Sequence, residues 1–500
     1  MNRNKKLLLN TGVGILQQLV TLVCGFILPR LFLKNFGSEV NGLISSVSQF
    51  LGFISLLEMG IGPVIQANLY QPLATKDSRR IAEVVLSAER FFRRIAYIFL
   101  AYIAALAILF PTVIAKDYDP IFTISLLLII AISTVAQYFF GATYQVLLNA
   151  DQKSYVQMSL QASAVILNTV ACVILMRLGA SVHMVKLMSA SIFVLRPIGQ
   201  MLYVRRHYAI DRRIKLVGEP IKQKWNGFAQ HVAATVSVNA PVVVLTFFSP
   251  LSSVSVYSVY NLVTNGMSGV IMTAASGVES YFGNILAQDD KSTLKKSFSL
   301  IEWVIHAVVT LLFAVAAVAI VPFVTVYTNG ITDVDYIRPL FGLLLVLAYM
   351  MQGLRIPYFR VIKAAGHFKE TQNGSFVMAA INIVLSVSLV FRFDLIGVAI
   401  GMLGAMTFHT VYFVWYLRKH ILHRSMLYFV KHLACDAVVV ALSLWATRSI
   451  ELGALTIPAF FICAIQKGLI TLAIAIGINV IFHWQSVAVG VKYLMKKIKH

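Results

Sequence analysis

Three arginines lie inside apolar stretches of this chain, each with a proline within two residues: Pro29-Arg30, Arg196-Pro197 and Arg355-Ile356-Pro357. A guanidinium does not give up its proton inside a protein. At the centre of a bilayer it costs roughly 2.5 to 3.5 kcal/mol even on a lenient insertion scale. Proline removes a backbone donor and breaks the helical ladder beside it. Charge and loosened backbone together point to a wet internal cavity for an anion, such as a diphosphate or an acidic sugar, bound through forked hydrogen bonds. The alternative for each arginine is snorkelling, in which the long side chain reaches the nearest interface. Arg360, one turn beyond Arg355, fits that alternative best.

Other polar residues in apolar surroundings extend the set. Glu58, in Leu57-Glu58-Met59-Gly60-Ile61-Gly62, could pair with an arginine, carry a proton or sodium ion, or face water. Gln17, Gln137 and Tyr144 could line a lumen that tolerates sugar. The competing reading is interhelical hydrogen bonding, worth about 0.6 kcal/mol each. Lys467 and Asp436 read as a packing pair, and His306 and His409 as packing residues. The four cysteines, Cys24, Cys172, Cys435 and Cys463, all lie in apolar runs and read as small buried hydrophobes without disulfides or metal. No Walker A, GxSxG or HExxH sequence is present, and no long external loop could hold catalytic carboxylates. The expectation is therefore a non-enzyme without cofactor.

The elements that must position these residues are membrane helices. The chain has 500 residues, 59% hydrophobic and 12% charged, with a mean hydropathy of +0.80. Its apolar runs have the length that helices need to cross about 30 Å of hydrocarbon, and an alternating strand pattern is missing. The run Gly12 to Leu33 is too long for a signal peptide and reads as a retained first helix. Fourteen spans are expected, at approximately 12–33, 40–66, 95–115, 120–148, 157–176, 182–204, 226–248, 254–283, 298–322, 337–362, 374–391, 395–417, 432–447 and 457–482. With both termini cytoplasmic, 30 of the 42 lysines and arginines fall in cytoplasmic loops, 7 in outer loops or at the outer ends of spans, and 5 deeper within spans, as the positive-inside rule requires. The net charge of +22 then faces anionic inner-leaflet lipid, and nucleic acid is not needed. Segment 67–94 reads as an amphipathic helix on the membrane surface.

A shift of 214 residues places Tyr144 on Tyr358, Ala150 on Ala364 and Asn168 on Asn382. This indicates a parallel repeat of two six-helix lobes. The expected division is a lobe at 1–204, a basic connector at 205–225, a second lobe at 226–417, and two extra helices with a basic tail at 418–500. Arg30, Arg196 and Arg355 would then line a cationic cavity between the lobes.

The N-terminal part carries Arg30-Leu31-Phe32-Leu33, Gly37, Glu39, Gly42, then Glu58-Met59-Gly60-Ile61-Gly62 and Leu69-Tyr70-Gln71-Pro72-Leu73-Ala74. This resembles the polysaccharide (Wzx-type, O-antigen and capsule) flippases of the multidrug/oligosaccharidyl-lipid/polysaccharide exporter superfamily. The motif resemblance covers roughly residues 10–95; length, topology and repeat extend it. It implies two lobes around a cavity that opens alternately to each side of a bacterial plasma membrane. The implied substrate is an undecaprenyl-diphosphate-linked oligosaccharide, with a polysaccharide polymerase and glycosyltransferases as possible partners beside the membrane lipids. Arg30 matches a functionally important arginine of the related lipid II flippases. That branch also uses arginines in its second and eighth helices, where this chain has Glu58 and no basic residue. A lipid II flippase and a multidrug/cation antiporter are the alternatives within the superfamily.

Overall fold

The structure, a computed structural model, describes residues 3–58, 61–214, 228–275, 278–288 and 290–498. Regular structure among them is entirely helical. Among the described residues eleven helices are long and apolar enough to cross a membrane, and Thr235–Phe248 is a shorter apolar helix. The longest candidate, Leu8–Glu58, is interrupted at Gly37. Dividing it there and counting the two helices at Phe228–Phe248 and Leu251–Ala274 reproduces fourteen passages. The chain divides into two compact units, Met1–Thr235 and Val236–His500. Of the expected connector, 215–225 lies outside the described residues.

The first unit begins with α1 (Arg3–Gly52), α2 (Ser55–Glu58), α3 (Ile61–Thr75) and α4 (Ser78–Leu109). It continues through α5 (Pro120–Phe140), α6 (Ala142–Ala150), α7 (Ser154–Arg177) and α8 (Val182–His207). Gly37 bends α1 by adopting φ 81°, ψ 172°, a conformation open to glycine alone. Asp77 starts α4 by accepting the Arg80 N–H, and Asp119 starts α5 by accepting the Phe122 N–H. Both are ordinary N-caps.

The segment expected on the membrane surface is built differently. α3 continues to Thr75, and α4 runs without interruption from Ser78 into the membrane. Its apolar stripe, Ile81, Val84, Val85 and Ala88, is buried within the unit. An amphipathic face of this width suits a lipid surface or another helix equally. Here α3, α5 and α6 pack against α4.

The second unit holds α9 (Phe228–Phe248), most of which follows the boundary, then α10 (Leu251–Ala274), α11 (Val278–Ala287) and α12 (Lys291–Tyr327). After these come α13 (Pro339–Leu354), α14 (Ile356–Ala364), α15 (Phe368–Phe393), α16 (Leu395–Leu417), α17 (Leu427–Ala446) and α18 (Ile457–Ile498). The units repeat each other in detail. α12, like α4, opens on an aspartate cap, Asp290. A glutamate is the twelfth residue of each, Glu89 and Glu302. α5 breaks at Gly141 before α6, and α13 breaks at Arg355 before α14. The third residue after each break is a tyrosine, Tyr144 or Tyr358.

Candidate functional site

The break at Gly141 organises the polar interior of the first unit. A Cβ at this position would lie 2.7 Å from Gln137 Oε1 and 2.7 Å from Pro197 Cβ. Both distances are well inside van der Waals contact. Glycine thus lets α8 press its proline against the joint between α5 and α6. Arg196, the neighbour of that proline, is brought beside Gln137 as a consequence.

Arg196 spends its donors on neutral groups. Nη1 donates to Gln161 Oε1 of α7 at 2.5 Å, and Nη2 donates to Gln137 Oε1 at 2.8 Å. Gln137 in turn donates to Gln145 Oε1 of α6 at 3.1 Å. The Arg196 Nε is buried without a partner. No carboxylate pairs with this guanidinium among the described residues, so its charge is not cancelled. Leaving a buried donor unused costs about 1–3 kcal/mol, which an incoming acceptor would recover.

Arg196 and Gln137 line a cavity of about 740 Å³, together with Glu58, Tyr138, Gln66 and Asn149. Glu58, the last described residue of α2, has the Tyr138 hydroxyl beside its carboxylate. The cavity therefore carries a cation and an acid that are not paired with each other. Its volume lies within the range of small-ligand sites.

The other expected site residues are placed differently. Tyr144 does not line this cavity: its hydroxyl donates to Glu89 Oε1 at 2.7 Å and accepts from Arg212 Nη2 at 2.8 Å. An ion pair at the helix end captures the phenol that the sequence left free for a lumen. Gln17 spends its amide on Thr21 of its own helix, at 3.2 Å, and also lies away from this cavity. Arg30 is half-buried on α1, before the Gly37 bend, and makes no ion pair with an acid among the described residues. Arg360 is not a free interface side chain, because Glu279 holds it at 2.8 Å, with Lys363 at 3.4 Å from the same oxygen.

Arg355 occupies the corresponding helix break of the second unit. Its Nη1 is hydrogen-bonded to His409 Nδ1, with Met378 Sδ at 3.8 Å. The rings of Phe359 and Phe413 lie 5.8 and 6.0 Å from its guanidinium carbon. As at Arg196, the acceptor is a neutral side chain. His409, read from sequence as packing, is this arginine's hydrogen-bond acceptor. Asp436 is not the partner of Lys467; it accepts from Thr310 and faces His306. Gln161 carried no sequence signal beyond being polar in an apolar span.

Outside the spans, Asp151 joins three groups at the end of α6. Lys6 Nζ and Lys153 Nζ lie 2.9 and 2.7 Å from its carboxylate, and the Tyr208 hydroxyl donates at 2.5 Å. Burial alone pushes this carboxyl up, but bonds from Lys153, Tyr208 and Lys6 outweigh burial and hold it below the usual carboxylate range. The Tyr208 hydroxyl is pushed up in return, by burial and by the adjacent carboxylate.

No protein-family model matches the chain, and no curated relative matches it. Solved structures do. A lipid II flippase, MurJ, in its inward closed conformation is similar at TM-score 0.67 and 15% identity, covering 96% of this chain and 100% of that one. An inward-facing multidrug resistance MATE family transporter of the MOP superfamily gives TM-score 0.59 at 12% identity, over 80% and 94% of the two chains. The eukaryotic MATE transporter AtDTX14 gives 0.56 at 16%, over 84% and 96%. The fold is thus that of multi-pass transporters and flippases, and these neighbours are not enzymes.

Proposed function

We propose that this chain is a flippase. It carries an undecaprenyl-diphosphate-linked oligosaccharide from the cytoplasmic to the outer face of a bacterial plasma membrane, by alternating access, for cell-surface polysaccharide synthesis. The observation that carries the reading is Arg196: a charged fork held only by glutamine oxygens, with a spare donor, in a cavity of about 740 Å³. A drug-cation antiporter would place uncompensated acids there, whereas here the acid, Glu58, is accompanied by an arginine. Glutamine and asparagine side chains along the wall suit sugar hydroxyls, which both donate and accept.

Direction needs no ATP. A diphosphate carries about two negative charges, and outward movement in an inside-negative membrane gains about 2.3 kcal/mol per charge per 100 mV. Both termini are cytoplasmic in this reading, so the substrate enters from the side where it is made.

A second reading, lipid II transport, is favoured by one observation: the likeness to the lipid II flippase runs over nearly the whole chain, the last two helices included. Complementation separates the two. Cells that assemble a lipid-linked oligosaccharide but lack its flippase should regain surface polysaccharide with this chain, and lose it again with Arg196→Ala or Arg30→Ala at equal protein level. Rescue only of cells depleted of their lipid II flippase would replace the first reading by the second. Full export by both arginine variants would sink the cationic site.

A further inference from the structure

The two units carry the same three-residue cluster, and the differences between the copies are informative. In the first unit Tyr144, Glu89 and Arg212 meet at the end of the broken helix, with Arg212 and Glu89 3.3 Å apart. The Arg212 side chain is 49% exposed. In the second unit the Tyr358 hydroxyl donates to Glu302 Oε1 at 2.6 Å, and Arg424 Nη2 lies 2.5 Å from both Glu302 oxygens. Here Arg424 is 15% exposed and Glu302 is fully enclosed. The helices α17 and α18, which have no counterpart in the first unit, pack on α12 and cover the cluster.

They also extend it. His306, one turn along α12 from Glu302, places Nδ1 2.6 Å from Asp436 Oδ2 of α17 and Nε2 3.2 Å from the Tyr358 hydroxyl. Thr310 donates to Asp436 Oδ1 at 2.7 Å. His306 and Asp436 are buried, at 1% and 6% exposure. The residue one turn after Glu89 on α4 is Arg93, which is exposed.

The hydrogen-bond partners imply one placement of the protons. Glu302 accepts both contacts from Arg424 Nη2. Tyr358 has one proton and gives it to Glu302, so its oxygen can only accept from His306. His306 Nε2 must therefore carry a proton. One further proton lies between Nδ1 and Asp436, whether it is formally on the imidazole or on the carboxyl. The pair thus holds one proton more than a neutral histidine beside an ionised aspartate whose other oxygen is capped by Thr310.

Other titratable and charged groups stand around the pair. His432 lies 5.0 Å from His306, ring to ring, and stacks in parallel on His483 of α18 at 4.4 Å. Lys431 bears on both, and His432 Nε2 is 3.8 Å from Glu302 Oε2. On the other side of α14, Arg360 and Lys363 are held by Glu279 of α11. Lys467 lies earlier on α18, and Arg418 stands beside a small cavity of about 10 Å³ that touches Tyr358 and Arg424. That is room for about one water, between Tyr358 and the partly exposed Arg424.

We propose that His306 and Asp436 form a proton-binding site, reached past Arg424 and Tyr358, whose loading drives transport. Binding of the proton stands on the geometry alone; its coupling to transport rests on the flippase reading. The second unit, with its final two helices packed on α12, encloses the counterpart of an ion pair that in the first unit has one exposed partner. Tyr358 ties the site to the helix that begins at the Arg355 break.

The test uses full-length protein with both groups replaced, His306→Gln with Asp436→Asn. His306→Leu with Asp436→Leu serves as an apolar version that keeps the helices packed. On lowering pH from about 8 to about 5, the window of histidine charge change, wild-type protein in detergent should take up about one proton more than either variant, by indicator dye. Equal uptake would overturn the site. In proteoliposomes, flipping of a fluorescent polyprenyl diphosphate by wild type should change several-fold with an imposed pH gradient. Both variants should lose that response and keep the response to a potassium diffusion potential. A retained gradient response would overturn the coupling. A wild-type protein that flips no probe would overturn the flippase reading, while the proton count still decides the site.

Discussion

Gly141→Ala adds one methyl at the joint between α5 and α6, and its effect can be worked out from distances. The backbone at Gly141 has φ −119°, which any residue adopts, so the effect is steric alone. The new Cβ would lie 2.7 Å from Pro197 Cβ and from Gln137 Oε1, against an ordinary carbon contact of about 3.5–4.0 Å. Gln137 can swing away, but the proline ring cannot. Relief therefore moves α8 off the joint by about 1 Å, or turns Gln137 out of place. Either movement takes the 2.8 Å bond from Arg196 to Gln137 past the hydrogen-bond limit of about 3.5 Å. A hydrogen bond to a charged group is worth about 1.5–3 kcal/mol, which converts to roughly a 10- to 150-fold loss. Overpacking costs about 1–3 kcal/mol of stability as well. The assay is flipping of fluorescent polyprenyl diphosphate per folded protein, with thermal unfolding measured in parallel. Adding Gln137→Ala should relieve part of the stability loss without restoring transport. Wild-type flipping by Gly141→Ala would refute the claim that this contact sets the geometry of Arg196.

Three further outcomes follow from the same structure. Arg355→Ala should lower flipping about as much as Arg196→Ala while expression holds, and unchanged flipping would remove Arg355 from the transport path. Glu302→Gln should destabilise more than Glu89→Gln, about 3–5 kcal/mol for an enclosed pair that is broken against roughly 1 for a pair whose arginine is exposed. Equal shifts in thermal midpoint would contradict the exposure difference between the two copies. Asp151→Asn should lower the thermal midpoint at neutral pH, with a loss of about 2 kcal/mol. Because the bonds to Asp151 hold its carboxyl below the usual range, this stability is present above the unfolded value near 3.9 and disappears as pH falls through the folded one. The gap between variant and wild type should close in acid, and a constant gap would refute the assignment.

The all-helical class could be read from sequence, because about 20 apolar residues in a row have few other uses. The repeat was visible through Tyr144 and Tyr358, since both must follow a helix break at the same distance. What stood in the way at the site was choice of partner. Tyr144 was polar in an apolar span, and nothing in one dimension says whether such a group faces a lumen or a glutamate from another helix. The same ambiguity hid Glu89 in a segment whose stripe suited a membrane surface and Arg212 in a basic connector, and it set Asp436 beside Lys467 rather than His306. Arg196 and Gln137 were legible as polar residues, but Gln161 and the role of Gly141 required coordinates. Glycine's part there is a distance to Pro197, and distances between helices are not written in spacing along one.

The pattern of pairing gives the strongest argument for an anionic substrate. The chain does neutralise cations near helix ends: Arg212 with Glu89, Arg360 with Glu279, Arg424 with Glu302. At Arg196 and Arg355 it uses glutamine and histidine instead. A carboxylate at either place would hold the guanidinium more strongly in a low-dielectric interior, so stability alone would favour one. A neutral acceptor orients the fork and leaves the charge uncancelled. That arrangement suits a group that must bind an anion in one state and release it in another, since a permanent acid would compete with the substrate and a bare arginine would lose its geometry. Glu58 stands in the same cavity as Arg196 without pairing to it. In the flippase reading proposed above, drawing Glu58 toward Arg196 would set its carboxylate in competition with the diphosphate for the same guanidinium.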